Sequence, residues 1–372
     1  MKVGKIILPL SFLLIIFSLG ISTIFKQDNL ISISERRNLE TKPKVNKDDI
    51  ISGKYFKNLE SYLLDQISFR EKFRTIKSLN ELYIYRKLDN HNIIIKDGYA
   101  TSISYPLSDK KINLYIKKIN YIINNYLKTR NVHIYHTLIP DKNYYLIKKS
   151  KYPLINYKQL ENKLSDNIMA SYIDIFDKLN VNCYYKTDSH WKQDYLVPVS
   201  NKILESMHMK TIDSVKISNS LSPFYGVYYG HAALPMKPDE IRYIETKETM
   251  NATVYQINKR TKEFEKVKMY QEDKLKDRLT DSYDLFLGGA NTITVIENDL
   301  PNSGKTLYIF SDSYGRSLTP LLISNYKKIV LYDIRYIKTS SALEMIPIED
   351  NSDVLFAYSI LSLNVSSNIQ EV

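Results

Sequence analysis

Ser313, His190 and Asp188 are residues of the types that nucleophilic acyl transfer requires, and each sits in a local pattern able to present it. A serine hydroxyl is a weak nucleophile until a base takes its proton, and the base needs a group that fixes its tautomer. Ser313 lies in TLYIFSDSYGRSLTPLL, Thr306 to Leu322. Thr306 to Phe310 is a short run of β-branched and aromatic residues, the pattern of a buried parallel strand. SDSYG then forms a turn, after which Leu318, Leu321, Leu322 and Tyr326 recur at helical spacing. A serine at such a strand-to-helix turn projects beyond the carboxyl end of a sheet, where the helix N-terminus leaves backbone N–H groups for a developing oxyanion. The same placement suits a plain helix cap.

His190 and Asp188 belong to YKTDSHW, Tyr185 to Trp191. With one residue between them in an extended segment they point to the same side, so the carboxylate can orient the imidazole and stabilise its charged form. Taken alone, the pair equally describes a buried hydrogen-bonded histidine or half of a metal site. No other pair completes a metal site: His133 and His136 face opposite ways on a strand, and the single Cys183 cannot build a thiolate cage.

These segments, with LFLGGAN at Leu285 to Asn291, IPDKNYY at Ile139 to Tyr145 and YDIRYI at Tyr332 to Ile337, resemble the DHHW family. That family is related to the alginate O-acetyltransferase proteins, whose catalytic domain is a permuted SGNH hydrolase. SERRNLETKP, SGKYFKNLESYLLDQISFR and IIIKDGY extend the resemblance over nearly the whole chain. Carried over by position, the family's aspartate falls on Asp188, its catalytic histidine on His190 and its nucleophile on Ser313. The family name implies two adjacent histidines, and Ser189 stands in the first place here. The resemblance implies an α/β fold, with an SGNH-like parallel sheet flanked by helices and the motifs in permuted order. It implies an O-acetyltransferase acting on a polysaccharide, with an acetyl donor delivered by a membrane-bound O-acyltransferase partner and no cofactor. An acetylesterase with the same triad and an inactive glycan-binding surface protein are the alternatives.

The elements that must position these residues follow from periodicity. Ser108 to about Lys128 is an amphipathic helix and Asn131 to Ile139 a strand, which with a strand at Ile93 to Ile95 makes a βαβ unit and a parallel sheet. Tyr157 to Asn167 reads as helix, Tyr172 to Phe176 as strand, and Lys192 to Met207 as helix with Pro198 permitting a kink. Residues 208–290 change to short strands between polar turns, with NKRTKEF as a hairpin loop, and read as a β-rich insertion or lid. Within them SPFYGVYYGH gathers aromatic residues and His231, which suits either stacking on a sugar ring or core packing. Asn291, Gly289 and Tyr314 are oxyanion or substrate candidates. Arg335 holds an anion or pairs with Asp333, and Lys142 binds an anionic group or forms a structural salt bridge.

The chain has 372 residues, 44% of them hydrophobic, long enough for one large core. Lys2 and Lys5 precede the almost uncharged run Ile6 to Phe25, long enough to span a bilayer. It reads as an uncleaved anchor or a signal peptide; the leading basic residues favour an inside amino terminus, with the remainder extracytoplasmic. The expected organisation is therefore an anchor over 1–27, a stalk and helical segment over 28–92, and the catalytic domain over 93–372. The net charge of +11 comes from scattered lysines without a nucleic-acid recognition motif, so an anionic membrane or wall polymer, or simply AT-rich coding, accounts for it better than nucleic acid.

Overall fold

The computed structural model describes residues 2–88, 92–148, 150–219, 221, 223–258, 261–276, 280–300 and 303–363. They divide into two compact units, 1–91 with 229–235, and 92–228 with 236–372.

The first unit begins with helix Lys2–Phe25. Its stretch Ile6–Phe25 is long and apolar enough to cross a membrane, and none of it is buried. A small hairpin follows, β1 (Ile31–Ser32) with β2 (Arg37–Asn38). Helices Lys54–Gln66 and Arg70–Leu79 meet at an elbow.

Among its described residues the second unit has the strands β3 (Ile93–Lys96), β4 (Tyr99–Ser102), β5 (Val132–Ile139), β6 (Ser171–Tyr172), β7 (Lys216–Ile217), β8 (Ile244–Glu245), β9 (Thr253–Ile257), β10 (Phe264–Val267), β11 (Ile293–Glu297), β12 (Thr306–Ser311), β13 (Lys328–Tyr332) and β14 (Ser352–Ser359). Eight of them form one large sheet, and β3 with β4 and β7 with β8 form two small two-stranded sheets. The order in the large sheet is β10-β9-β11-β13-β12-β14-β5-β6. From β13 to β6 every pairing is parallel, whereas β11, β9 and β10 are added antiparallel. The sheet is thus mainly rather than wholly parallel. Successive residues of β12, β13 and β14 face opposite sides, and both sides are buried. Leu307, Ile309, Leu331 and Leu355 enter one core, and Tyr308, Phe310, Tyr332 and Phe356 the other. Each strand is consequently apolar at nearly every position, which is why β12 read as a continuous run.

Several expectations are corrected by this topology. β3 does not join the main sheet: the KDGY turn, with Asp97 and Gly98 at positive φ, reverses the chain at once, so β3 pairs with β4 in a separate hairpin. Helix Asp109–Ile122 therefore leads into β5 without completing a βαβ unit. The strand expected at Tyr172 to Phe176 stops after Tyr172, because the Asp174 carboxylate accepts the Phe176 N–H and starts a 3-10 turn. Pro198 kinks nothing. It occupies the first turn of helix Val197–Ser206, where its missing N–H costs no bond. Within 208–290, β7 and β8 pair with each other, but β9 and β10 extend the main sheet as an antiparallel hairpin. Lys259 and Arg260 of the expected NKRTKEF loop, and Ser222 of SPFYGVYYGH, lie outside the described residues.

Candidate active site

β12 ends at Ser311 and helix Gly315–Leu322 begins four residues later, so Ser313 stands in the turn at the carboxyl edge of the sheet. Asp312 holds this turn from below. One of its oxygens accepts the Tyr314 N–H at 3.0 Å, and the other accepts the Ser359 N–H at 2.9 Å and the hydroxyls of Ser359 and Ser362. Those partners belong to the end of β14 and the residues just after it, which binds the turn to the neighbouring parallel strand. The helix behind it is buried along its whole length. Ser313 itself remains partly exposed.

The segment 185–190 arrives by a different route. An antiparallel bridge between Tyr184 and Trp191 closes it into a tight loop, with Tyr185 N–H donating to the His190 carbonyl at 3.1 Å. It is not extended, as its spacing suggested. Asp188 and His190 share a side because one carboxylate oxygen accepts both the His190 backbone N–H at 3.0 Å and His190 Nδ1 at 2.6 Å. The other oxygen accepts the Val227 N–H at 2.8 Å. His190 Nε2 then lies 2.8 Å from Ser313 Oγ. The three residues expected to act together are brought into one hydrogen-bonded line. Burial disfavours the Asp188 charge, but the His190 ring, its hydrogen bond and the backbone donors outweigh it and hold the carboxyl well below the usual range. A permanently ionised carboxylate fixes a proton on Nδ1 and leaves Nε2 to accept from a hydroxyl.

Neighbouring serines are committed elsewhere. Ser311 donates to the Ala357 carbonyl. Ser317 Oγ lies 2.8 Å from Trp191 Nε1 and 2.7 Å from the Tyr283 hydroxyl. The helix-terminal amides expected for an oxyanion are largely used by the turn itself. Tyr314 N–H goes to Asp312, Gly315 N–H to the Asp312 carbonyl at 3.1 Å and Arg316 N–H to the Ser313 carbonyl at 3.3 Å. Among the described residues, the Ser313 N–H has no such partner.

The remaining candidates take structural positions. Asn291 donates its amide to the Ile257 carbonyl at 3.2 Å and accepts the Ile293 N–H at 3.3 Å, so it fastens the β9–β11 edge. Gly289, at φ +83°, lies where an added Cβ would come within 2.3 Å of the Asp284 carboxylate. Tyr314 is buried, and its hydroxyl donates to the Ser189 carbonyl at 2.6 Å. Arg335 grips Asp333 through two bonds of 2.8 and 2.6 Å. Among the described residues, Lys142 has no salt-bridge partner. Fully buried, its ammonium donates to the carbonyls of Ala100 at 2.8 Å and Tyr185 at 2.6 Å, and burial depresses its pKa to about 7. From SPFYGVYYGH, Phe224 and Tyr228 are core residues, while Tyr225 is exposed.

Other residues that build the site gave no local sign of it. Tyr283 stacks on His190 with ring centroids 3.8 Å apart and planes inclined by 12°. Asp239 accepts the N–H groups of Lys186 at 2.8 Å and Thr187 at 2.7 Å, together with the Thr187 hydroxyl. Gly226 donates to Thr187 Oγ1 at 2.9 Å, and a Cβ there would fall 2.3 Å from Asp188 Cβ.

A family model described as DHHW protein matches residues 147–332. Among solved structures, a DHHW family protein from Eubacterium siraeum aligns with a TM-score of 0.59 at 21% identity, covering 74% of this chain and 93% of that one. Bacillus cereus PatB1 aligns with a TM-score of 0.58 at 17% identity, covering 75% and 97%. A structure of PatB1 with a sulfonyl adduct gives 0.57 at 17%, covering 76% and 98%. At these identities the likeness establishes a shared fold. Comparison with curated proteins finds no match.

Proposed function

Because the chain belongs to the DHHW family, we propose that it is an extracytoplasmic O-acetyltransferase that carries acetyl on Ser313 to hydroxyls of an exopolysaccharide or cell-wall glycan. The observation that supports this most is the unbroken line from Asp188 through His190 to a partly exposed Ser313 Oγ. In the first half-reaction Ser313 Oγ passes its proton to His190 Nε2 and attacks the acetyl carbonyl, and the proton then goes to the departing donor group. In the second, the glycan hydroxyl gives its proton to Nε2 and attacks the acyl-enzyme, after which Ser313 regains the proton. The Ser313 N–H is the donor best placed for the oxyanion of both tetrahedral intermediates. Asp188, ionised throughout, stabilises the imidazolium formed in each.

The acetyl donor in this scheme is a membrane-bound O-acyltransferase, and helix Lys2–Phe25 is a single-pass anchor holding the catalytic unit outside the cell. The test measures acetyl release from a small ester with and without oligosaccharide. A transferase hydrolyses slowly, is accelerated by a suitable glycan and leaves acetyl on it; an esterase is merely inhibited by the glycan. Deletion of the gene should lower acetylation of the surface polymer. A sulfonyl fluoride, prompted by the adduct named for PatB1, should label Ser313 in the wild type and fail to label the His190→Ala variant.

A further inference from the structure

The elbow between helices Lys54–Gln66 and Arg70–Leu79 exposes large apolar side chains on both of its arms. Leu63 and Leu64, in the last turn of the first helix, are 49% and 65% exposed, and Phe69 and Phe73, opening the second, are 59% and 41% exposed. Phe69 also holds φ +63°, a conformation unfavourable for a residue with a Cβ, in order to begin the second helix. A strained backbone that directs a phenyl ring away from the protein is costly on two counts if that ring faces water.

The end of the apolar helix is tied to this same elbow. Ser22 Oγ lies 2.8 Å from Ser68 Oγ, and Thr23 Oγ1 accepts the Ser68 N–H at 3.1 Å. Lys26 Nζ donates to the Gln66 carbonyl at 3.1 Å. Gln66 in turn exchanges bonds of 2.9 and 2.8 Å with the Asn29 backbone. The apolar stretch Ile6–Phe25 has 20 residues. At about 1.5 Å per residue it spans roughly the 30 Å of a bilayer's hydrocarbon, so Lys26 and the elbow bound to it fall at the outer boundary.

Charge around the elbow suits that level. Lys72 lies over the Phe69 ring, its ammonium 5.4 Å from the centroid, the arrangement of a lysine whose stem covers apolar surface while its head reaches the polar layer. The carboxylates nearest the elbow are neutralised. Asp65 is buried against Arg37 and Arg70, and Glu71 is bound by Arg70, Arg74 and the Ser34 hydroxyl. These pairs brace the two helices from behind and leave the apolar edge free.

We propose that this elbow is an interfacial wedge, which sinks Leu63, Leu64, Phe69 and Phe73 into the headgroup boundary of the outer leaflet. It rests on the reading of helix Lys2–Phe25 as an anchor. The wedge holds this unit flat on the lipid surface where a bare stalk would let it swing, since buried apolar area adds to the anchor at a fixed depth.

The full-length chain contains one tryptophan, the buried Trp191, so a second is read against a quiet background. Phe69→Trp is reconstituted in vesicles of phosphatidylcholine and phosphatidylglycerol, with and without acyl chains brominated near the headgroup. The wedge predicts blue-shifted emission that loses most of its intensity in the brominated vesicles, more than with bromine near the chain ends. Leu64→Trp should do the same should the first substitution disturb the strained turn. Vesicle-bound protein whose new tryptophans emit as in water and resist quenching overturns the wedge while leaving the anchor intact. Protein that fails to float with vesicles overturns the anchor.

Discussion

Ser313 and His190 are held at the same point by opposite means. The serine is placed by regular structure: β12 is paired on both sides in a parallel ladder, and the buried helix behind it fixes where the turn emerges. The histidine is placed by a loop with almost no regular hydrogen bonding of its own, pinned by side chains and amides from distant positions. Asp239 holds Lys186 and Thr187, Gly226 and Val227 hold Thr187 and Asp188, Lys142 holds Tyr185, and Tyr283 covers the ring. A ladder spreads the cost of any one defect over many bonds, whereas a pinned loop depends on each pin. Perturbations on the histidine side should therefore cost activity at little cost in stability.

The largest effects come from the reacting groups themselves. Ser313→Ala and His190→Ala should each lower acyl transfer by at least about 10⁴-fold, and Asp188→Asn by a similar factor through loss of the imidazole's orientation. Their double variants should be little worse than the singles, because the three work as one unit. Thermal midpoints of Ser313→Ala and His190→Ala should stay close to wild type. Near-normal turnover of Ser313→Ala would remove the serine from the mechanism.

Next is Gly226→Ala, which tests the pinned loop directly. Its Cβ would lie 2.3 Å from Asp188 Cβ and 2.5 Å from the Thr187 carbonyl oxygen, so the loop must move. A displacement of even about 1 Å can cost on the order of 10² in rate, and kcat should fall by about that much with a small loss of stability. A variant with full kcat would show that the loop tolerates motion and that the contrast with the serine side is wrong.

A smaller effect is expected at Tyr283, where two variants divide its contacts. Tyr283→Phe keeps the stack on His190 and loses the Ser317 bond, and Tyr283→Leu loses both. Aromatic stacking contributes about 0.5–1.5 kcal/mol, so the leucine variant should lose roughly two- to tenfold in kcat and the phenylalanine variant less. Equal losses in both would assign the whole effect to the hydroxyl.

The same contrast decides what could be read from the sequence. β12 and its turn were legible because a buried parallel strand, a turn and an amphipathic helix each leave a mark within a few residues. Asp188 and His190 are legible as a pair because a single residue separates them, although that spacing suggests an extended segment and the structure makes it a tight loop. Tyr283, Asp239 and Gly226 reach the loop through tertiary contacts, and no local period encodes a partner from so far along the chain. Asn291 and Tyr314 had suitable chemistry and neighbourhood, but the β9–β11 edge and the Ser189 carbonyl take up their polar atoms. The parallel core was inferred correctly in kind. The βαβ unit at β3 failed because a two-residue reversal at Asp97 and Gly98 outcompetes a long crossover.

Lys142 bears on stability, not on the reaction, and its signature is a dependence on pH. Burial lowers its pKa to about 7, while Asp188, Asp239 and Asp141 pull the other way without prevailing. An unfolded lysine titrates near 10.4, so between about pH 7 and 10 the unfolded chain binds a proton that the folded one does not. That favours unfolding at the lower end of the window and fades as pH rises, which makes the contribution of Lys142 to stability increase with pH across it. Lys142→Met removes the titration and leaves the Ala100 and Tyr185 carbonyls without their donor, a loss that does not depend on pH in this range. The stability difference between wild type and variant, measured by denaturant unfolding from pH 7 to 9.5, should shift toward the wild type by up to about 1.4 kcal/mol per pH unit. A flat difference would mean that Lys142 stays charged through the window, and that its two carbonyl partners compensate its burial in full.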